Sequence, residues 1–175
     1  MSIGSTRAAV GAAALLAGAA AGPPPHATLP APDDPRAAGV YRLERVNGRA
    51  LPAADRLVGA AGYELVGRVD RVLLNLHPSG RFTVDVHYQY AHVVAGTPVP
   101  LGDDWSDADA GGAWTVRDGR VTLLPDPSRR GRPSPALSGD WRRDRIVMDL
   151  RYAGRYTAGQ ERQYVVRLQR AAGVF

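Results

Sequence analysis

From Arg81 onward the apolar residues fall on every second position, Phe82, Val84, Val86, Tyr88 and Tyr90, and the residues between them, Arg81, Thr83, Asp85, His87 and Gln89, suit water. That spacing predicts a strand with one dry face, and a one-residue slip would exchange the two sets, so the register is strongly specified. Val72, Leu74 and Leu76 keep the same beat upstream, and His77-Pro78-Ser79-Gly80 between the two runs holds the Pro and Gly that reverse a backbone. The pair predicts a β-hairpin.

The other elements can be laid beside it. Gly39 to Val46 alternates and ends at Asn47-Gly48, a strong two-residue turn signal. Val66 to His77 and Arg81 to Ala91 are the second and third strands. Trp114 and Val116, the Asp118-Gly119 turn, then Val121 and Leu123 make a second compact hairpin. Ala136 to Trp141, a turn at Arg142-Arg143-Asp144 and Ile146 to Tyr152 make a third, and Gln163 to Gln169 is the last strand. Ala53 to Tyr63 suits a short helical turn, Val93 to Gly111 reads as a long acidic loop, and Asp126 to Pro133 as a basic one.

These amount to eight short strands with no long helix. Antiparallel strands with a single dry face and sequential hairpins are satisfied most simply by closing the sheet on itself, which removes its exposed edges. The expected fold is therefore all-β, an eight-stranded antiparallel up-and-down barrel. In such a barrel alternate connections emerge at opposite ends. The connections at 47–65, 92–111, 126–133 and 153–161 are long and share one rim, whereas the other rim carries tight turns at 78–80, 118–119 and 142–144. Binding residues concentrate on loops held by a rigid scaffold, so the long-loop rim is the expected mouth. Parity turns Tyr88, Tyr90, Trp114, Tyr152 and Tyr164 inward, and all five are expected beside that mouth as candidate ligand-binding residues. Aromatic rings with a polar tip suit a half-wet pocket. They equally suit a plug, since a barrel of this size has an interior that side chains can fill.

Composition narrows the class. The chain has 175 residues and no Cys, which excludes disulfides, Cys-based zinc sites and a lipid-modified N-terminal Cys. All 22 basic residues are Arg, but 17 acidic residues are interspersed, and the net charge of +5 does not make a nucleic-acid track. Residues 1–21 place Arg7 before an Ala-rich uncharged run with small residues near Ala19 and Ala21, the pattern of a signal peptide. That run is shorter and less apolar than a membrane span requires, so no stable span is expected after cleavage. Residues 22–38 hold a Pro-rich linker, 39–170 the barrel domain and 171–175 a short C-terminal tail. Export to the periplasm or the extracellular space follows as the expected localisation.

Three patterns resemble those of a group of bacterial exported lipocalin-like small β-barrel domains. They are Gly39-x-Tyr41-x-Leu43-x-x-Val46-Asn47-Gly48-x-x-Leu51-Pro52, Leu74-x-Leu76-x-x-x-Gly80-x-Phe82, and Gly112-x-Trp114-x-Val116-x-x-Gly119-x-Val121-x-Leu123. The likeness covers residues 39–169 and implies a lipocalin-like barrel with no catalytic residues to carry over.

Candidate chemistry is sparse. Asp103, Asp104, Asp107 and Asp109 crowd the acidic stretch, and alternate aspartates can offer oxygens to calcium, but the full twelve-residue loop pattern is missing and no metal site is expected. Arg129-Arg130-x-Arg132 would sit at the same rim and attract those aspartates as a charge-paired lid, whereas Arg142-Arg143-x-Arg145 belongs to the opposite rim. His26, His77, His87 and His92 do not assemble, and no nucleophile elbow or phosphate loop occurs, so neither an enzyme nor a cofactor is expected. The reading is an exported binding domain that holds a small apolar or amphipathic ligand at the long-loop end. The alternative is a protein-protein module with a filled barrel, an envelope inhibitor or assembly factor, using the same loops.

Overall fold

The structure, a computed structural model, describes residues 32, 34–58, 64–100, 106–127, 136–152 and 162–172, with the backbone alone at 53–58, 64, 65, 90, 100, 106–109, 151, 152 and 162. The N-terminal run read as a signal peptide lies outside the described residues. The described elements are a single-turn 3-10 helix, Pro35–Ala37, and eleven strands: β1 Gly39–Val46, β2 Arg49–Ala50, β3 Ala53–Val58, β4 Glu64–Leu76, β5 Arg81–Val94, β6 Thr97–Pro100, β7 Ser106–Arg117, β8 Arg120–Pro125, β9 Leu137–Arg142, β10 Arg145–Tyr152 and β11 Arg162–Arg170.

Eight of these strands form the barrel wall in the order β1-β11-β10-β9-β8-β7-β5-β4, and β4 pairs with β1 to close it. All these pairings are antiparallel, as the alternation predicts, and the fold is an up-and-down barrel consistent with a lipocalin-like architecture. The hairpin turns follow the local sequence. Asn47-Gly48, Ala95-Gly96 and Asp118-Gly119 each hold two successive residues at positive φ, from 48° to 83°, the mirror-image turn whose twist matches that of the flanking strands. Asn47 also continues the ladder: its N–H donates to the Val165 carbonyl at 2.8 Å, and its side-chain oxygen accepts from the Val165 N–H at 2.7 Å.

Two expectations are corrected. Residues 53–58 form strand β3 where a helical turn was expected, because their backbone pairs with β4 from Ala53↔Val69 to Val58↔Glu64. The supposed acidic loop is mostly strand: β5 runs on to Val94, turns at Ala95-Gly96 into β6, and β7 starts at Ser106. Asp107 and Asp109 thus belong to β7, opposite His87 and Asp85, while Asp103 and Asp104 lie outside the described residues.

Bulges shape the wall. The pairing of β1 with β11 shifts register at Glu44, and that of β4 with β5 shifts at Asp70. An extra residue bends a strand and sharpens its twist. The β1/β4 seam runs only over residues 39–42 and 73–76 and stops short of both bulges. Beyond them β1 pairs with β2 and β4 with β3, so the two strands part company.

Inside, large residues fit against small ones. Trp114, Tyr41, Leu43, Leu74, Leu76, Leu123, Ile146, Met148 and Leu168 are fully buried. An added Cβ at Gly139 would meet Met148 Cγ at 2.5 Å, and one at Gly112 would meet the Phe82 ring at the same distance. The tight-turn end is capped by the segment before β1. Ala37 is fully buried, and the Tyr41 hydroxyl donates to its carbonyl at 2.8 Å while accepting from Trp141 Nε1 and from Arg170 Nη2, each at 3.0 Å. The Arg170 guanidinium also donates to the Arg36 carbonyl and sits 5.3 Å from the centre of the Tyr41 ring. A hydroxyl has one proton and two lone pairs, and here all three are used. The last residues of the Pro-rich segment therefore pack as part of the barrel. Tyr41→Phe should cost about 1–2 kcal/mol, because a carbonyl, an indole N–H and a guanidinium lose their shared partner; urea denaturation followed by circular dichroism measures it.

Candidate functional site

The tight turns share one rim, as the connection lengths predict. Residues 78–80, 118–119 and 143–144 turn at one end, joined there by the start of β1 and the end of β11. At the other end lie the turns at 47–48 and 95–96 and the strand ends that flank the connections at 59–63, 101–105, 128–135 and 153–161, which themselves lie outside the described residues. The charge-paired lid of Arg129, Arg130 and Arg132 falls on one of those connections, as does Trp105.

Four of the five candidate aromatics lie toward the long-loop end. Tyr88 pairs with Val69 and with Ser106, the first residue of β7, and packs half-buried against the core. Tyr90 follows opposite Gly67, at a strand position of the same parity as Tyr88. Tyr152 ends β10 opposite Arg162, and Tyr164 of β11 is buried opposite Leu150. Trp114 is the exception. Its backbone N–H donates to the Gly80 carbonyl at 2.8 Å and its indole N–H to the His77 carbonyl at 2.9 Å, so it sits at the tight-turn end. Parity gave the correct face but placed the residue at the wrong height, because β7 begins at Ser106 and runs long, leaving Trp114 near its far end.

One feature was not read from the residues: one side of the barrel stands taller than the rest. Beyond Tyr88, where β7 starts, β5 continues for six residues to Val94. At about 3.3 Å per residue the extension reaches roughly 20 Å past that point. β4 and β3 flank it on one side and β6 on the other, making a four-stranded lip. Val94 and Val99 lie on the face of this lip that continues the barrel interior, since Val94 shares the parity of Tyr88 and Val99 stands opposite His92 of the same set. They are 58% and 47% exposed, the two most exposed large apolar side chains among the described residues. The clue available beforehand was Ala95-Gly96 followed by Thr97-Pro98-Val99-Pro100, a turn signal and an alternating run inside the segment read as loop.

The β6 edge of that lip is chemically blunt. Val94 and Thr97 flank a two-residue turn and so form a hydrogen-bonded pair, which aims the backbone nitrogens of residues 98 and 100 away from β5. Both are prolines and have no N–H to offer. An incoming strand would find no donors at those positions, so β6 can recruit a ligand by its face far more readily than by its edge.

Titratable groups do not gather into a reactive centre among the described residues. Among the described residues no three His, Asp or Glu side chains converge as metal ligands. His77 Nδ1 lies 2.8 Å from Ser79 Oγ within its turn. His87 and His92 occupy opposite parities of β5. The Asp34 carboxyl is held below its usual range, first by the hydrogen bond from the Arg36 side chain, and this pair stands on the surface beside the 3-10 helix. Among the described residues no helix is long and apolar enough to cross a membrane. No family model, no curated protein and no solved structure matches the chain, so the site stands on its own geometry.

Proposed function

We propose that this is an exported domain, periplasmic or extracellular, that binds a small apolar or amphipathic molecule at its long-loop end. The observation that carries the proposal is the lip: two exposed valines on the face that continues the barrel interior, rising above the rim that holds Tyr88 and the strand positions of Tyr90, Tyr152 and Tyr164. The ligand lies high, against the lip and the aromatic rim. The lower barrel is closed to it, because Trp114, Phe82, Leu76 and Ile146 are buried there.

A protein partner is the second reading, and a specific observation favours it too. A filled lower barrel with an exposed apolar lip matches a surface that docks on another chain by its face. Native mass spectrometry of the protein purified from its own host separates the two by the mass it retains.

The binding reading has a direct test. The full chain should enhance the fluorescence of an apolar dye such as 1-anilinonaphthalene-8-sulfonate, and Val94→Ser/Val99→Ser should weaken that binding tenfold or more, since fully burying each Val contributes roughly 1.5 kcal/mol. Both valines are exposed, so the melting temperature should hold. Equal dye binding by the double variant would remove the lip from the site.

A further inference from the structure

At the tight-turn rim, on the outside of the barrel, the β9–β10 hairpin closes on a pair of like charges. Arg142 and Arg145 stand directly opposite each other, and both are exposed. Cross-strand partners hold their Cβ atoms about 4.5–5.5 Å apart, and like charges at that separation destabilise a sheet. Arg143 adds a third guanidinium from the turn itself, at φ 56°, a conformation non-glycine residues adopt at a cost. The hairpin also holds two carboxylates, Asp140 and Asp144, but neither is ion-paired with Arg142 or Arg143. Among the described residues Arg142 and Arg143 have no hydrogen-bond or ion-pair partner, and Arg145 reaches Gln169 Oε1 only at 3.5 Å.

The neighbouring carboxylates are turned to other partners. Asp144 accepts from Gln169 Nε2 at 2.6 Å, and Asp140 lies 3.7 Å from Arg120 across the β8/β9 pairing. These two acids, the three arginines and Val147 line a surface depression of about 520 Å³. Arginine forks match the oxygens of a phosphate, and a doubly charged anion among them would turn the cross-strand repulsion into attraction.

We infer that this depression binds a phosphate group carried on a larger molecule. The depression is half open to solvent, so a phosphate among the arginines can carry the rest of its molecule outward over Val147. The source is either a soluble phosphomonoester or an anionic lipid headgroup, and both present the same chemistry to the arginines. The site is separate from the mouth, at the other end of the barrel, and does not depend on the function proposed for that end.

The test uses the full chain. In amide NMR spectra glycerol 3-phosphate should shift residues 142–145 saturably, at an ionic strength held constant with chloride, or the protein should sediment with vesicles containing phosphatidate. Either result supports the site, and the one observed identifies the source. Arg142→Gln/Arg145→Gln should weaken binding tenfold or more. In phosphate-free buffer the same variant should melt higher than the parent, because the facing charges are gone, and this readout shows that it folds. Arg68→Gln on β4 should bind as the parent does. Shifts no greater than those from chloride alone and no vesicle binding, or equal weakening by Arg68→Gln, would overturn the inference.

Discussion

Trp114→Ala is expected to cost about 3–5 kcal/mol of unfolding free energy, the range for deleting a large aromatic from a packed core. The ring is fully buried, and its N–H satisfies the His77 carbonyl in the turn that joins β4 to β5. Truncation leaves a cavity and removes one of the two hydrogen bonds that the His77 carbonyl accepts, the other coming from the Gly80 N–H at 3.0 Å, and the melting midpoint should drop by on the order of 10–20 °C. Trp114→Phe retains most of the volume and loses the hydrogen bond alone, so it should fall by about 1–2 kcal/mol. Denaturation in urea with an unchanged m-value measures both. A Trp114 that lined an open mouth would behave otherwise, with truncation staying near 1 kcal/mol or below.

Gly112→Ala should be the second severe substitution, at roughly 3 kcal/mol, the upper part of the range for forcing atoms into a filled core. A Cβ there would lie 2.5 Å from Phe82 Cε1 and 2.8 Å from Cζ, and it would also press on the Leu124 carbonyl. The ring could shift, but the carbonyl belongs to the β7/β8 ladder and cannot. Phe82→Leu in the same chain should therefore recover only part of the loss. Gly111→Ala provides the contrast: its nearest neighbour is the Phe82 carbonyl at 3.4 Å, an ordinary contact. In mid-strand Ala loses less backbone entropy than Gly, so this change should be neutral or stabilising by up to about 1 kcal/mol. Equal losses at 111 and 112 would show that the inward and outward faces of β7 have been misassigned.

Both experiments probe how alternation becomes packing. Phe82, Val84 and Val86, together with Val72, Leu74 and Leu76, were legible as one dry face, and each pair meets across β4 and β5 in the expected register. The turns at Asn47-Gly48 and Asp118-Gly119 were equally legible, because few residues accept positive φ at two successive positions. Residues 53–58 were less so: their Ala content obscured a strand whose identity comes from its partner β4. The bulges at Glu44 and Asp70 carry no local mark, yet they end the β1/β4 seam and let one side of the wall rise.

The candidate site shows the same division. Tyr88 and Tyr164 were selected by parity, and parity is a local property of a strand. Height within the barrel is not, and Trp114 demonstrates it: where each strand starts relative to its neighbours depends on pairings between residues far apart in the chain. The like-charged Arg142 and Arg145 were visible as a motif, but their facing positions on the outer wall emerged from the turn between them and from acids that β8 and β11 hold elsewhere. By itself, then, the order of residues determined that this chain makes antiparallel strands with one dry face and unequal rims, because side-chain period and turn stereochemistry act over a few residues. The lip, the closed lower barrel and the level of each aromatic were decided by tertiary structure, since strand stagger, bulges and burial arise only when distant segments share one sheet.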